Sequence, residues 1–590
     1  MIEGDTGGAI AGATIVLQQG GATGPRRVAT SDASGSFTFG DAVAGSYGVT
    51  VTALGYSTSG FGKLRADGPT RSLGLAPRER VGAMLLRMWK PGRIGGRVVD
   101  DRGNAVGSIP LVSVQVSDAG GAREYVVGPV TRTTAMGAYQ FSNLPAGRYV
   151  VCAVFTPTTF PAQVFETLRR ETTTGRVGGP MWARLQESGA PIPAFTATTV
   201  GPWRLFMTNP DTSAVPVQLT VSSDGAVSAY SRSCSPAAAA FADATVLNVR
   251  AGDDLTDVEV RLTLASPARR VSGSLRGPGG PVPYTAVRLM HAGDNDQRVV
   301  RPRPDAAASV SDADGTFTLL GIAPGRYVLR AWSGHVEGQD PAAPILGRVG
   351  PRPNGLTSWA EMPLTVGSSD LSNVTVTLAP PPAVTGKLIF AGAGTPPLSL
   401  EYTLSLLARH PTDVPPPAPV PVAADGSFTF RGYAPGRYTL PQVNVSGWRI
   451  TSATLDGKPL VGHEIDLGSI DTGNLVLSAT NQFTQLQGML EPQPGLAPVG
   501  VSVLVFPADY RQWIAHGMSP VQLRSGRLTG TWAFNATWLP PGDYLMVVYR
   551  EAEGEDVTPA FIERIASRAE KVRLAEGQAV TIALTLAQLR

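Results

Sequence analysis

The chain has 590 residues, which is too long for a single hydrophobic core, so several domains are expected. Its 68 glycines and 50 prolines favour short strands and turns over helices. A net charge of +3 without a long run of Lys or Arg excludes the basic footprint of a nucleic-acid-binding protein, and no uncharged run reaches the roughly 18 apolar residues of a membrane-spanning helix.

The N-terminus, MIEGDTGGAI, has no basic segment followed by an apolar stretch, so no signal peptide is visible. It aligns with residues 93–106 (RIGGRVVDDRGNAV) but lacks about four residues of the strand that opens that segment. We therefore expect a shortened opening strand in the first domain. Two explanations stay open: an incomplete gene model, and a strand that another chain supplies.

One phrase recurs along the chain, and residues 311–332 (SDADGTFTLLGIAPGRYVLRAW) are a clear copy. Asp314-Gly315 is a turn dipeptide, and an alternating strand follows it. Pro324-Gly325 forms a second turn before a second strand. The phrase therefore predicts an antiparallel pair of strands.

The spacing between the turn glycine and a tyrosine identifies the phrase as a repeat. It is 12 residues in four copies and 14 in a degenerate fifth copy that runs from Gly530 to Tyr544. The four regular pairs are Gly35 and Tyr47, Gly137 and Tyr149, Gly315 and Tyr327, and Gly426 and Tyr438. We expect each tyrosine to pack its ring inward and to hydrogen-bond its hydroxyl to nearby backbone.

Alternating strands also precede and follow each copy, for example residues 257–265 (DVEVRLTLA) and 373–380 (NVTVTLAP). About seven short strands in roughly 100 residues are typical of a Greek-key β-sandwich. The sequence thus predicts an all-β protein, a tandem array of Ig-like sandwich modules.

The tyrosine positions set the predicted module boundaries. Residues 156–256 lack clear alternation, and we interpret them as a large insertion in module two, with a degenerate extra sandwich as the alternative. Within the chain, 161–170 and 560–574 are the plausible short helices. The predicted order is module one at 1–60, a closing strand and linker at 61–92, module two at 93–265, module three at 266–380, module four at 381–480 and module five at 481–590.

Three segments of module one, GATIVL (12–17), TSDASGSFTF (30–39) and AGSYGVTVTALGY (44–56), resemble the carboxypeptidase regulatory-like domain. Modules two to four are similar to it, whereas module five departs, with Asp543 where arginine is expected and two extra residues. The resemblance implies a transthyretin-like sandwich, grouped with the carbohydrate-binding-like folds and related in shape to Cna-B modules. It implies tandem domains of a bacterial surface or secreted protein, and it supplies no catalytic residue.

No pattern in the sequence indicates enzymatic chemistry, and we predict no cofactor and no metal site. The five histidines are far apart and none forms a zinc-binding motif. Asp312 and Asp314 alternate as calcium ligands do, but a plain turn explains them better because a strand follows at once. Cys152 and Cys234 are the only cysteines, and they could form one bridge if the chain is exported.

Two kinds of partner can be argued from the residues. Trp332, Trp448 and Trp538 are weak candidates for sugar-stacking platforms, which would make the chain a carbohydrate-binding array. The last strand, AVTIALTLAQLR, could complete the first sandwich of a second copy and so build a head-to-tail filament.

We predict a non-enzymatic protein with a structural or adhesive role, located outside the cell, at the cell surface or in the periplasm. Its predicted partners are polysaccharide or other surface proteins, with no nucleic acid and no membrane span. The alternatives are the carbohydrate-binding array, the filament subunit, and an accessory part of a larger secreted enzyme.

Overall fold

Strands dominate the computed structural model and fall into five consecutive groups, which we name units one to five. The all-β fold class predicted from the sequence is confirmed. The structure describes the chain except for residues 20–23, 41, 64, 67, 69, 71, 76–79, 83, 118–122, 174–178, 192–196, 209–219, 224, 266, 296–297, 301–304, 335–354, 393–402, 409–413, 415, 441–447, 461–462, 469–470, 483, 492–500, 511–523, 528–531, 538, 551–558 and 588–590.

Units one and two hold the first 21 strands. Unit one contains β1 (Ile2–Glu3), β2 (Thr14–Gln19), β3 (Arg26–Thr30), β4 (Gly45–Thr52), β5 (Ser59–Gly60), β6 (Leu73–Leu75) and β7 (Arg87–Met88). Unit two contains β8 (Gly92–Val99), β9 (Pro110–Ser117), β10 (Glu124–Arg132), β11 (Ala138–Leu144), β12 (Gly147–Ala153), β13 (Thr156–Pro161), α1 (Ala162–Thr173), α2 (Pro180–Glu187), β14 (Thr198–Val200), β15 (Trp203–Thr208), β16 (Thr220–Val221), β17 (Val227–Tyr230), β18 (Ser233–Cys234), β19 (Leu247–Val249), β20 (Asp254–Arg261) and β21 (Leu264–Ala265).

Units three to five follow the same order. Unit three contains β22 (Arg269–Gly277), β23 (Gly280–Pro281), β24 (Ala286–His291), α3 (Ala292–Asn295), β25 (Arg298–Val300), β26 (Ala307–Val310), β27 (Thr316–Ile322), β28 (Gly325–Gly334), β29 (Leu356–Val366) and β30 (Leu371–Thr377). Unit four contains β31 (Val384–Phe390), β32 (Thr403–Leu404), β33 (Leu407–Ala408), β34 (Val420–Pro421), β35 (Ser427–Phe430), β36 (Gly436–Thr439), β37 (Arg449–Leu455), β38 (Lys458–Pro459), β39 (Glu464–Leu467) and β40 (Thr472–Thr480). Unit five contains β41 (Gln485–Leu490), β42 (Val501–Pro507), β43 (Arg524–Arg527), β44 (Ala533–Thr537), β45 (Gly542–Arg550), α4 (Pro559–Ala566), β46 (Glu570–Leu574), β47 (Ala579–Leu584) and β48 (Leu586–Ala587).

Two layers of sheet enclose the core of each unit, and unit four shows the arrangement. One sheet runs in the order β35-β31-β40-β37-β38, and the other in the order β33-β36-β39. Alternate residues of both sheets point inward and form one hydrophobic cluster, which includes Leu388, Phe430, Tyr438, Ile465 and Leu477. This alternation of buried and exposed positions is the reason that the short strands form a sandwich.

The recurring tyrosine makes the same contact in all five units. Each tyrosine is buried, and its hydroxyl donates a hydrogen bond to the carbonyl oxygen four residues earlier in the chain. The pairs are Tyr47 and Val43 (2.6 Å), Tyr149 and Pro145 (2.7 Å), Tyr327 and Ala323, Tyr438 and Ala434, and Tyr544 and Pro540 (each 2.8 Å). The bond satisfies a buried hydroxyl and fixes the turn that precedes the strand, as the repeat predicts.

Unit five keeps the spacing of the other units but changes the turn residue. The Trp532 carbonyl accepts the N–H of Leu490 at 3.0 Å, just as the Gly426 carbonyl accepts the N–H of Leu388 at 2.8 Å in unit four. Trp532 has a φ of 58° and lies 12 residues before Tyr544. The sequence-based alignment on Gly530, with its spacing of 14, is therefore wrong, because a tryptophan holds the left-handed position where the other units have glycine.

The region between β12 and β20 contributes to two units at once. Strands β13, β14 and β15 extend the sheet of unit three, because Thr158 and Thr159 of β13 pair in parallel with Ala308 and Ser309 of β26. Later residues of the same region return to unit two, where β18 and β19 pair with β12. We propose that the region is an insertion and not a sixth sandwich, since its strands join sheets of units two and three.

Both predicted helical segments contain a helix. Helix α1 packs with α2 against Phe160 and Phe206, and α4 covers the outer face of β42 and β45 through Phe561, Ile562 and Ile565. The second predicted helix is too long, however, because 570–574 forms strand β46 beside β45. No helix among the described residues is long and apolar enough to span a membrane.

The turn glycine of unit four offers a stability test. Gly426 has a φ of 84°, and a Cβ there would lie against the carbonyl oxygen of Leu388, closer than any real Cβ contact. We expect Gly426→Ala to destabilise unit four by about 2–4 kcal/mol, from left-handed strain and the loss of the Leu388 hydrogen bond. Hydrogen exchange of amides in 384–390 measures the change.

Gly457 provides the matched control, because its φ is 76° and, apart from its chain neighbours, no heavy atom of the described residues would lie within 4 Å of an added Cβ. Gly457→Ala should cost only about 1 kcal/mol, the strain by itself. Equal effects of the two substitutions on exchange in unit four would contradict the close approach at Gly426.

Candidate functional site

In every unit the opening strand lies beside a strand at or near the C-terminal end of the unit, which we name the closing strand, and the two run in parallel. In unit four, Val384 of β31 pairs with Thr472 of β40, and residues 386–390 pair with 475–479. The corresponding pairs are β8 with β20, β22 with β30, and β41 with β47. In unit one the pair is reduced to Ile2 and Glu3 against Arg87 and Met88.

A glycine on the opening strand allows the closing strand to approach. In unit four, a Cβ on Gly386 would lie 2.6 Å from the carbonyl oxygen of Leu475. The pairing register shifts between Val384 and Gly386 of the opening strand, because the closing strand has one extra residue there. The bulged closing strand therefore passes close to the glycine. Gly96 and Gly273 face the closing strands of units two and three in the same way.

The opening strand of unit one spans only Ile2–Glu3. The amino group of Met1 donates to the Gly35 carbonyl at 2.5 Å, which is the contact that the Val98 N–H makes with Gly137 in unit two. Phe37 and Phe39 are only partly buried, whereas Phe428 and Phe430 at the matching positions of unit four are buried. The N-terminal amine has a pKa below its usual value, because burial disfavours its charged form.

The contact between units three and four consists of aromatic and charged side chains. Trp332 packs with Leu356, Val414 and Ala434 in one buried cluster, and the Leu356 N–H donates to the Gly432 carbonyl at 2.9 Å. These residues come from both units, so the cluster belongs to the junction.

An ion pair lies beside the same junction. The Arg330 side chain is mostly buried and binds Glu361 with an Nη2–Oε2 distance of 2.5 Å. Its guanidinium lies 4.9 Å from the ring centre of Trp359. The alternation of β28 predicts that Arg330 and Trp332 face outward, and the neighbouring strand and unit four cover that outer face.

The tryptophans predicted as sugar platforms are not available for stacking where the structure describes them. Trp332 is 2% exposed, and Trp448 is 4% exposed with its ring 5.0 Å from that of Phe390. Neither ring can present a face to a ligand, because neighbouring side chains cover both. Trp538 lies outside the described residues.

Among the described residues, no group of three or more His, Cys, Asp or Glu side chains is placed so that it could hold a metal ion. Of the histidines, His291 and His463 are described and belong to different units, and the other three lie outside the described part of the chain. The Asp312 side chain stabilises the turn in which it lies, since its Oδ1 accepts hydrogen bonds from the backbone N–H groups of Asp314 and Thr316 at 3.2 and 3.0 Å.

The two cysteines form a disulfide between neighbouring strands. Cys152 on β12 and Cys234 on β18 are direct partners in an antiparallel pair, and both are fully buried. The bond joins residues that are 82 positions apart and fastens the inserted region to the sheet of unit two. Tyr125 and Phe241, with ring centres 5.8 Å apart, lie in the same hydrophobic cluster.

A family model adds to this picture at the N-terminus. The carboxypeptidase regulatory-like domain matches residues 1–73. Unit one is a domain of this family. No curated protein has a matching sequence.

Several solved structures are similar to the chain at low sequence identity. The TIE protein of Bacillus anthracis is 9% identical, with a TM-score of 0.14, and the match covers 98% of this chain and 69% of that one. The streptococcal ancillary pilin is 9% identical (TM-score 0.18; 66% and 98% covered). Two B repeat units of the collagen-binding protein of Staphylococcus aureus are 11% identical (TM-score 0.14; 79% and 94% covered).

Loss of the disulfide should destabilise unit two. Replacing both cysteines by serine is expected to cost about 2–5 kcal/mol, because the bond closes a long loop. Urea unfolding of the chain with and without reductant measures the effect. Thiol titration of the unfolded, unreduced protein is the control, and two reactive thiols there would contradict the bond.

The buried histidines should make the fold sensitive to mild acid. Burial lowers the pKa of His463, and burial with the Arg232 cation lowers the pKa of His291. The folded state then binds fewer protons than the unfolded one, so the stability from the neutral rings is present above about pH 6.5 and is lost as the pH falls below it.

His463→Asn removes one titrating ring and suits its φ of 57°. In this variant, the free energy of unfolding of unit four should fall less between pH 7 and pH 5, as measured by hydrogen exchange corrected for pH. Asp425→Asn is the control, because hydrogen bonds from Ser427 lower the pKa of Asp425 and its effect belongs below about pH 4. An unchanged slope for His463→Asn would refute the assignment.

Proposed function

We propose that this chain is a non-enzymatic structural protein that carries tension outside the cell, at a cell surface or in a secreted or periplasmic assembly. The observation that supports the proposal is the parallel pairing of opening and closing strands in all five units.

Parallel pairing decides how tension acts on a unit. The chain enters at one end of the opening strand and leaves from the opposite end of the closing strand. Tension along the chain therefore slides the two strands past each other and loads their hydrogen bonds together. Strands pulled apart from the same end would instead lose these bonds one at a time, over a lower barrier to forced unfolding.

Short connections would pass tension from unit to unit. Closing strand β30 ends at Thr377 and β31 begins at Val384, and β40 ends at Thr480 before β41 begins at Gln485. Segments of this length have little slack to take up. Units two and three are joined further, because β10 of unit two pairs with β25 of unit three.

The disulfide supports the location. Such bonds form and persist in oxidising compartments and are rare in the cytosol. Cys152 and Cys234 are bonded to each other, and there are no other cysteines in the chain.

The pairing of the C-terminal strands argues against the alternative that the chain is the subunit of a head-to-tail filament. Residues 579–584 pair with 485–490 inside unit five, and β48 pairs with β45. The expected completion of a second copy's first sandwich by this strand would require these pairs to open first. A structural role of the single chain needs no such opening.

Single-molecule pulling of the full chain through its two termini tests the proposal. We expect separate unfolding events, each releasing about 30–35 nm for a unit of roughly 100 residues at about 3.6 Å per residue. Unit one should open at the lowest force, because its terminal strands share only two residue pairs, Ile2 with Arg87 and Glu3 with Met88.

The attachment geometry is the control. Handles at Thr385 and Gly473 lie at the same end of β31 and β40, so pulling there peels the pair open. Unit four should then yield at a clearly lower force than when the chain is pulled through its termini. Equal forces in the two geometries would overturn the load-bearing role.

A further inference from the structure

Two clefts lie on either side of one tryptophan, Trp203. We name the first the arginine cleft. It has a volume of about 690 Å³ and is lined by Trp203, Arg269, Arg270, Asp370 and Leu320, among others. The second, the aspartate cleft, has about 460 Å³ and is lined by Trp203 together with Gln163, Tyr284, Asp312 and Phe317, among others.

The position of Trp203 is fixed by the inserted strands. It begins β15 and pairs with Pro161 of β13 on one side and Val200 of β14 on the other. Its side chain is half-buried and rests against a hydrophobic cluster that includes Leu205 and Leu320. An indole held in this way keeps an accessible surface toward both clefts at little cost in side-chain entropy.

Arg269 gives the arginine cleft its free positive charge. Arg270 is already paired, since its Nε lies 3.5 Å from Asp370 Oδ2 and its backbone N–H donates to Asp370 Oδ1 at 3.0 Å. The Arg269 Nε is shielded from water and has no hydrogen-bond partner among the described residues. Among the described residues, no carboxylate forms an ion pair with this guanidinium.

The aspartate cleft offers mainly hydrogen-bonding groups. Asp312 accepts bonds from its own turn, including one from Thr316 Oγ1 to Oδ2 at 2.8 Å, and a carboxylate oxygen has room for a further donor. The Gln163 side chain is exposed on the first turn of α1. These groups suit hydroxyls of a neutral part of a ligand.

We propose that the two clefts form one groove that binds an acidic polysaccharide, with one sugar ring stacked on Trp203 and a uronic acid carboxylate on Arg269. The flat, C–H-bearing face of a pyranose packs on an indole, and the guanidinium fork matches a carboxylate with two parallel hydrogen bonds. The aspartate cleft receives the hydroxyls of the adjoining sugar. This binding role is independent of the tension-bearing role.

Charge and shape favour a sugar chain over a peptide. Glycines and alanines form much of the arginine cleft beside Trp203, among them Gly201, Ala226, Ala268 and Gly321, so a flat ring can approach the backbone closely. A peptide would use the edge of β14, which is one of the two outermost strands of the seven-stranded sheet and the one beside Trp203. Binding there would not depend on the Trp203 ring.

Affinity electrophoresis and calorimetry of the full chain with polygalacturonate test the proposal, with neutral dextran as the comparison probe. The unmodified chain should bind polygalacturonate and not dextran. Arg269→Gln should weaken binding about tenfold, as expected for a charge-assisted contact. Trp203→Leu keeps an apolar side chain on the cluster and should weaken binding by a similar factor.

Arg437→Gln is the matched control, because Arg437 is an exposed arginine of unit four, 3.8 Å from Asp466 and remote in sequence from the groove. It should leave binding unchanged. Thermal unfolding of each variant checks that it is folded. If Trp203→Leu is unstable, the polygalacturonate affinity of Arg269→Gln alone tests the proposal.

Three results would overturn the proposal. The first is no retention of the unmodified chain by polygalacturonate. The second is an equal loss in Arg437→Gln, which would mean unspecific attraction of charge. The third is tight binding of poly-L-glutamate with the same dependence on Trp203 and Arg269, which would identify an acidic peptide as the ligand.

Discussion

The parallel pairing of opening and closing strands is the constraint on which the rest of each unit depends. In units two to five it places the opening strand between the closing strand and the strand that follows the turn residue. In unit four, β31 lies between β40 and β35 in this way. The turn, its glycine and the tyrosine hydrogen bond then hold the second layer against the first.

The units are not structurally independent domains, because sheets and hydrophobic clusters extend across their junctions. Strands of the inserted region complete the sheet of unit three, and Trp332 of unit three packs against residues of unit four. Burial of these side chains stabilises the junctions in the same way that it stabilises a single core. A groove beside Trp203 exists only because inserted strands and unit three meet there.

Local pattern was sufficient to predict the fold class, the turn glycines and the tyrosine contacts, since each depends on residues within about 12 positions of each other. The predicted module boundaries stay a prediction. Pattern could not reveal what covers the second face of a strand, so Trp332 was expected outside. It also could not reveal that Trp203 lies between two clefts, because these are built from residues of units two and three. Trp532 was missed since tryptophan rarely adopts a left-handed turn position.

The sheet shared by units two and three also imposes an order on biosynthesis. Thr159 leaves the ribosome 150 residues before Ser309, its partner in the parallel pair of β13 and β26. At about 5–20 residues per second, that interval is roughly 8–30 s. The inserted strands must wait through it with one edge open, so a nascent chain of this protein exposes a pairing edge that a chaperone or a neighbouring chain can reach before unit three closes it.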